Sequence, residues 1–159
     1  MTEQRQTRRL YSLSQYVRMA ALLRTQAVAS LDSTPVAVRH LFIGPAGADV
    51  DEKWLRLRLW FAYVFVAIEG WEQLCLKDDA VDLYLSDLRS GGDYDRLKRF
   101  RNAVFHYQDE PATEKLDDFL GWGPFDGAIK RAIRVQDALE AFTQRWRMSA
   151  DLSGADSWQ

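Results

Sequence analysis

Trp54-Leu55-Arg56-Leu57-Arg58-Leu59, running on through Trp60-Phe61-Ala62-Tyr63-Val64-Phe65-Val66-Ala67-Ile68-Glu69-Gly70-Trp71, is the stretch whose reading decides the fold. Its first six residues alternate apolar and basic side chains with the period of a strand. The alternation then stops, while apolar residues continue through Trp60, Phe61, Val64, Phe65 and Ile68 to Trp71 and Leu74. A strand that long is unusual, whereas a buried central helix of that length is ordinary. The spacing predicts a helix to about Leu76, capped by Asp49 or Asp51, with Asp51 and Glu52 suited to its positive end. Glu69 and Glu72 lie toward its far end. Glu69 is either the buried partner of a cation such as Arg101 or a surface acid, because a buried acid without a partner is expensive.

Working outward, Leu13, Val17, Ala20, Ala21, Leu23 and Ala27 recur at helical spacing and predict a first helix over 12–30, with Ser12 or Ser14 as N-cap. The polar residues before it read as a frayed start. Leu31 to Asp51 is a long connection containing Pro35, Gly44, Pro45 and Gly47; it has no Lys-Ser/Thr, so its glycines mark a turn and not a phosphate loop. His40 and Phe42 are expected to tuck onto the core from it. Asp78 or Asp79 opens a short helix that Ser90-Gly91-Gly92 stops. Asp93 caps the next, from Tyr94 to about Tyr107, which Asp109-Glu110-Pro111 ends. Residues 112–127 read as a packed aromatic loop. A last helix follows from about Asp126 to Met148, before a small, polar, loosely held tail. With no β-α alternation, the class is all-α: an antiparallel bundle of four main helices plus one short helix, a single helical domain over 10–148.

The composition, 47% hydrophobic and 28% charged over 159 residues, is that of a globular chain large enough for a real core. A net charge of -2 excludes a generally basic nucleic-acid coat, so any such contact must be a local patch. The single cysteine, Cys75, excludes an internal disulfide and suits a reducing cytosol; at the end of an apolar helix it reads as a small buried core residue. No secretory leader is visible before Leu10, and the longest apolar run, Leu59 to Ile68, is too short for a bilayer. A cytoplasmic protein without membrane contact is expected.

Most of the chemistry lies in Arg101-Asn102-Ala103-Val104-Phe105-His106, which holds one of only two histidines. Asn102 and His106 are four apart, so on a helix they share a face and the amide can orient the imidazole. Arg101 lies roughly 140° around the axis from His106, so one helix cannot aim both at one atom. A second copy across a two-fold axis can complete the set. Such a pair suits metal-independent cleavage of an RNA phosphodiester. His106 serves as general base or acid, and Arg101 binds the phosphate and its growing charge. The helix C-terminus favours a protonated imidazole. Arg96, Lys98 and Arg99 supply the local positive patch, and Tyr107 is placed with them as a substrate contact. Neither a metal site nor a cofactor site is apparent.

On Arg101-Asn102-Ala103-Val104-Phe105-His106 the chain resembles the HEPN-domain family, marked by Arg, four to six residues, then His, often with a polar residue after the Arg. The position of the motif, toward the end of a late helix with one long helix after it, is similar too. The resemblance implies a helical bundle that dimerises with paired motifs lining a cleft. It also implies Arg101 and His106 as catalytic residues, with Asn102 in support. Many members are metal-independent endoribonucleases of toxin-antitoxin, phage-defence or abortive-infection systems, so an antitoxin or other regulatory protein is an implied partner. Others have lost catalysis and bind. One toxin branch has Tyr two residues after the His, where this chain has Gln108.

Two other readings stand beside the ribonuclease. One is a non-catalytic helical dimer that binds a nucleotide, an RNA or a protein. The other is an unrelated helical adaptor in which the motif is an accident of spacing.

Overall fold

The computed structural model describes residues 3–31, 52–106 and 127–155. They form five packed helices: α1 (Glu3–Leu31), α2 (Glu52–Gln73), α3 (Asp79–Ser90), α4 (Asp93–Phe105) and α5 (Ala128–Ala155), with no strand among the described residues. The alternating Trp54–Leu59 segment is helical. α2 is the central element: α1 packs along it, α4 packs against it, and α5 touches it while holding α1 and α3.

The burial pattern explains this arrangement. Phe61, Phe65, Ile68 and Trp71 are all buried, and they recur at the three- and four-residue steps that keep one stripe of α2 facing inward. Leu97 and Phe100 of α4, Val81 and Leu88 of α3, and Val135 and Leu139 of α5 close the core around them. Phe61 meets Phe100 edge to face at 6.4 Å, and Trp71 meets Phe142 the same way at 4.8 Å. A Cβ on Gly70 would stand 3.2 Å from Leu13 Cδ1, so its absence lets α1 lie close along α2. The most deeply buried polar side chains, Ser14, Asp93, Gln136 and Thr143, are paired. Trp60 Nε1 donates to Gln136 Oε1 at 2.6 Å, and Gln136 Nε2 donates to Glu140 Oε1 at 2.7 Å.

Several expected boundaries move. α1 begins at Glu3, so Ser12 and Ser14 lie inside it and cap nothing. Ser14 is buried, donating to Tyr11 O and accepting from Arg147 of α5 at 3.1 Å. α5 runs on to Ala155, past the expected end at Met148. Asp78 caps α3 as expected, its Oδ1 accepting from Ala80 N and Val81 N.

Asp93 does not cap α4. Gly92 takes that place in the left-handed region (φ 72°), which glycine enters without strain, and Asp93 becomes the first helical residue. Cys75 is exposed, contrary to its expected burial. α2 ends at Gln73, and Cys75 lies beyond it in a turn with φ 51°, its N–H donating to Glu72 O. The expected cap of α2, the His40 and Phe42 connection, Tyr107 and the 112–126 loop lie outside the described residues.

Candidate functional site

α4, which carries the motif, packs against α2. The two helices run antiparallel, as three contacts show: Glu72 against Tyr94, Glu69 against Arg101, and Tyr63 against Phe105. Glu69 and Glu72 are three apart, so one edge of α2 presents two carboxylates to α4. Arg101 donates to Glu69 Oε1 in an ion pair whose side chains are 18% and 30% exposed. Its guanidinium carbon lies 5.3 Å from the centre of the Phe65 ring. Its Nε is buried with no hydrogen-bond partner among the described residues. Of the two sequence readings of Glu69, partner to Arg101 is therefore the one the fold adopts.

One turn further along, Glu72 accepts from Arg89, and from Tyr94 Oη at 2.8 Å; Arg89 also lies 5.1 Å over the Tyr94 ring. Burial, then the bond to Glu72 and its charge, push the Tyr94 hydroxyl up to about 12, with Arg89 opposing. Sequence reasoning missed this cluster. Its one signal was a second acid on an otherwise apolar helix.

His106 is not on the helix. It is the C-cap of α4 in extended conformation (φ -110°, ψ 145°), and its backbone N–H donates to Asn102 O at 3.0 Å. The one-turn spacing of Asn102 and His106 therefore falls across the end of the helix. Asn102 thus holds the position of His106 through its carbonyl. His106 is exposed, and the adjoining Phe105 packs edge to face on Tyr63 at 5.8 Å.

The basic residues divide. Lys98, three before Arg101 and four before Asn102, is exposed on their side of α4. Arg99 is exposed further round. Arg96 turns to α4's own start, where its Nη1 lies 3.4 Å from Asp93 Oδ1. Asp93, 1% exposed, is held chiefly by Arg131 of α5, whose Nε donates to Oδ2 at 2.6 Å. Arg96 thus reaches the joint between α4 and α5 while about half of its side chain, 47%, stays exposed.

Among the described residues, no group of three or more His, Cys, Asp or Glu side chains is placed to hold a metal ion. Among the same residues, no helix is long and apolar enough to cross a membrane. Comparison with protein-family models, curated proteins and solved structures finds no match to this chain.

Proposed function

We propose that the chain is a HEPN-like, metal-independent endoribonuclease that works as a homodimer, with Arg101 and His106 as its reacting pair, in a toxin or phage-defence setting. The observation that carries the reading is the pair on one helix: Arg101 of α4, ion-paired to Glu69 of α2, and the exposed His106 at the end of α4. In the reaction the ribose 2′-oxygen attacks phosphorus and the 5′-oxygen leaves. His106 takes the 2′-hydroxyl proton, and a water molecule supplies a proton to the departing oxygen. Arg101 stabilises the charge on the non-bridging oxygens. Glu69 keeps Arg101 in place, and Asn102 fixes His106 through the backbone. Lys98 and Arg99 draw in the RNA backbone.

The test is cleavage of a mixed RNA pool with EDTA present. Wild type should leave 2′,3′-cyclic phosphate ends, and Arg101→Ala and His106→Ala should each lose at least about 100-fold in rate, the usual scale for an acid-base group or a charge-stabilising donor. Cleavage indifferent to both substitutions would exclude the motif.

The Glu69 pairing favours one second reading. In it Arg101 is a clamp between α2 and α4, and the chain is a non-catalytic helical dimer for a nucleotide, RNA or protein partner. That version predicts no cleavage by wild type and a loss of stability in Arg101→Ala.

A further inference from the structure

An open cleft of about 240 Å³ lies between the first half of α1 and the last turns of α2. Leu13 pressed on Gly70 forms its floor, Val66 adds apolar wall, and the half-exposed ring of Tyr16 flanks it. Glu69 and Gln73 lie on its polar edge, four apart on α2 and therefore on one face. Arg9 spans the mouth, with Nη2 3.4 Å from Gln73 O. The volume is below the roughly 300–1,000 Å³ of drug-sized sites and suits a single flat ring system.

We propose that this cleft is a nucleobase subsite that prefers guanine; its assignment to an RNA base rests on the ribonuclease reading. Single-stranded RNA is read by stacking bases on aromatic rings and bonding their Watson–Crick edges. Tyr16 supplies the ring. The edge chemistry selects among the bases. An ionised carboxylate only accepts, whereas a carboxamide both donates and accepts. Glu69 therefore needs a base with adjacent N–H donors, and guanine presents two, at N1 and N2. Its neighbouring O6 can accept from the Gln73 amide. Adenine places an acceptor beside its one donor group, and uracil flanks its single donor with acceptors, so each sets a lone pair against the carboxylate.

Glu69 lines the cleft, and its Oε1 accepts from Arg101. One carboxylate thus touches both the cleft and the phosphate-binding cation. A guanine held in the cleft would set the adjoining phosphate beside Arg101 and bias the position of the cut.

The experiment is equilibrium titration of the full chain with guanosine, adenosine, cytidine and uridine 5′-monophosphates, followed by NMR shifts. Guanosine monophosphate should bind at least about tenfold more tightly than the others, the equivalent of one or two extra hydrogen bonds. Tyr16→Ala and Glu69→Gln should each lose about tenfold in that affinity, and Glu69→Gln should also lose the preference over adenosine monophosphate. Tyr16 is far enough from the core for its variant to fold, and an unchanged melting curve would verify this. His106→Ala should bind as wild type does.

Equal binding of the four nucleotides, absence of binding, or full affinity in both cleft variants would overturn the proposal. Guanosine monophosphate binding with the expected losses, in a protein that cuts no RNA, would uphold the cleft and remove the ribonuclease. RNA cleavage by a protein indifferent to guanosine monophosphate would remove the cleft alone.

Discussion

Tyr94 is where a single residue's environment makes the sharpest prediction. Its hydroxyl donates to Glu72 and titrates near 12, against an ordinary value of 10.0. Because the folded value is raised, the neutral form's contribution to stability is complete below pH 10. It falls away as pH rises through the interval to about 12. Tyr94→Phe removes the donor but leaves Glu72 its bond from Arg89, so at pH 7 it should cost about 0.5–1.5 kcal/mol. Between pH 10 and 12 wild type should lose stability relative to Tyr94→Phe. Urea unfolding of both proteins across that range measures the narrowing gap; a constant gap would mean that Tyr94 does not titrate as its surroundings require. At this scale the sequence was half legible. Glu69 could be paired with Arg101 on paper because an acid toward the end of a largely apolar helix needs a cation, and α4 offers several. The exit of His106 from α4 could not be foreseen. Val104 and Phe105 continue the apolar pattern, and the first punctuation in the sequence is Asp109-Glu110-Pro111. Cys75 failed for a related reason: apolar neighbours suggested burial, and a left-handed turn instead set the residue outside the core.

The joint between α4 and α5 is the element-scale counterpart. An Asp after two glycines reads as a cap, but Gly92 adopts the left-handed turn and leaves Asp93 inside the first turn of α4. There its carboxylate is buried and answered by Arg131, with Arg96 beside it. Removing one partner of a buried pair leaves an uncompensated charge, usually costing about 3–5 kcal/mol. Arg131 and Arg96 keep partial access to solvent and can relax, so Asp93→Ala should cost about 2–3 kcal/mol, at or below the lower end of that range. The midpoint of urea unfolding should fall with little change in slope. A loss below about 0.5 kcal/mol would place Asp93 with ordinary surface substitutions. Element types were readable wherever apolar side chains repeat, as in α2, where length outweighed a strand-like start. Boundaries were not. The first turns of α1 consist of Glu, Gln, Arg and Thr, good or tolerable helix residues with no apolar stripe to reveal them. The last turns of α5 extend past Met148 through Ser, Asp and Gly, weak helix formers that read as a tail.

At the scale of the whole molecule, the absence of β-α alternation indicated an all-α chain. Which helices meet was not readable, because it depends on pairs far apart in sequence. Arg24 with Asp137, Trp60 with Gln136, and Arg145 with Asp78 are examples. The same limit applies to assembly, and here a mixing experiment discriminates. Arg101 of α4 is paired with Glu69 of α2, whereas His106 lies past the end of α4; in the proposed dimer the two groups of a site come from different copies. Suppose Arg101→Ala and His106→Ala are unfolded together and refolded in equal amounts. If copies pair at random, about half of the dimers are mixed, and each mixed dimer holds one composite site with both groups intact and one with neither. Activity should therefore return to about a quarter of wild type, from two preparations that are each inactive alone. If Arg101 and His106 act together within one chain, every site in the mixture lacks one of them and no activity returns. Recovery without cross-association in sedimentation would point instead to a contaminating nuclease, and a catalytically silent His106→Ala or Arg101→Ala preparation provides the control. The same mixture titrated with guanosine monophosphate should bind at full stoichiometry if the α1–α2 cleft belongs to each chain by itself.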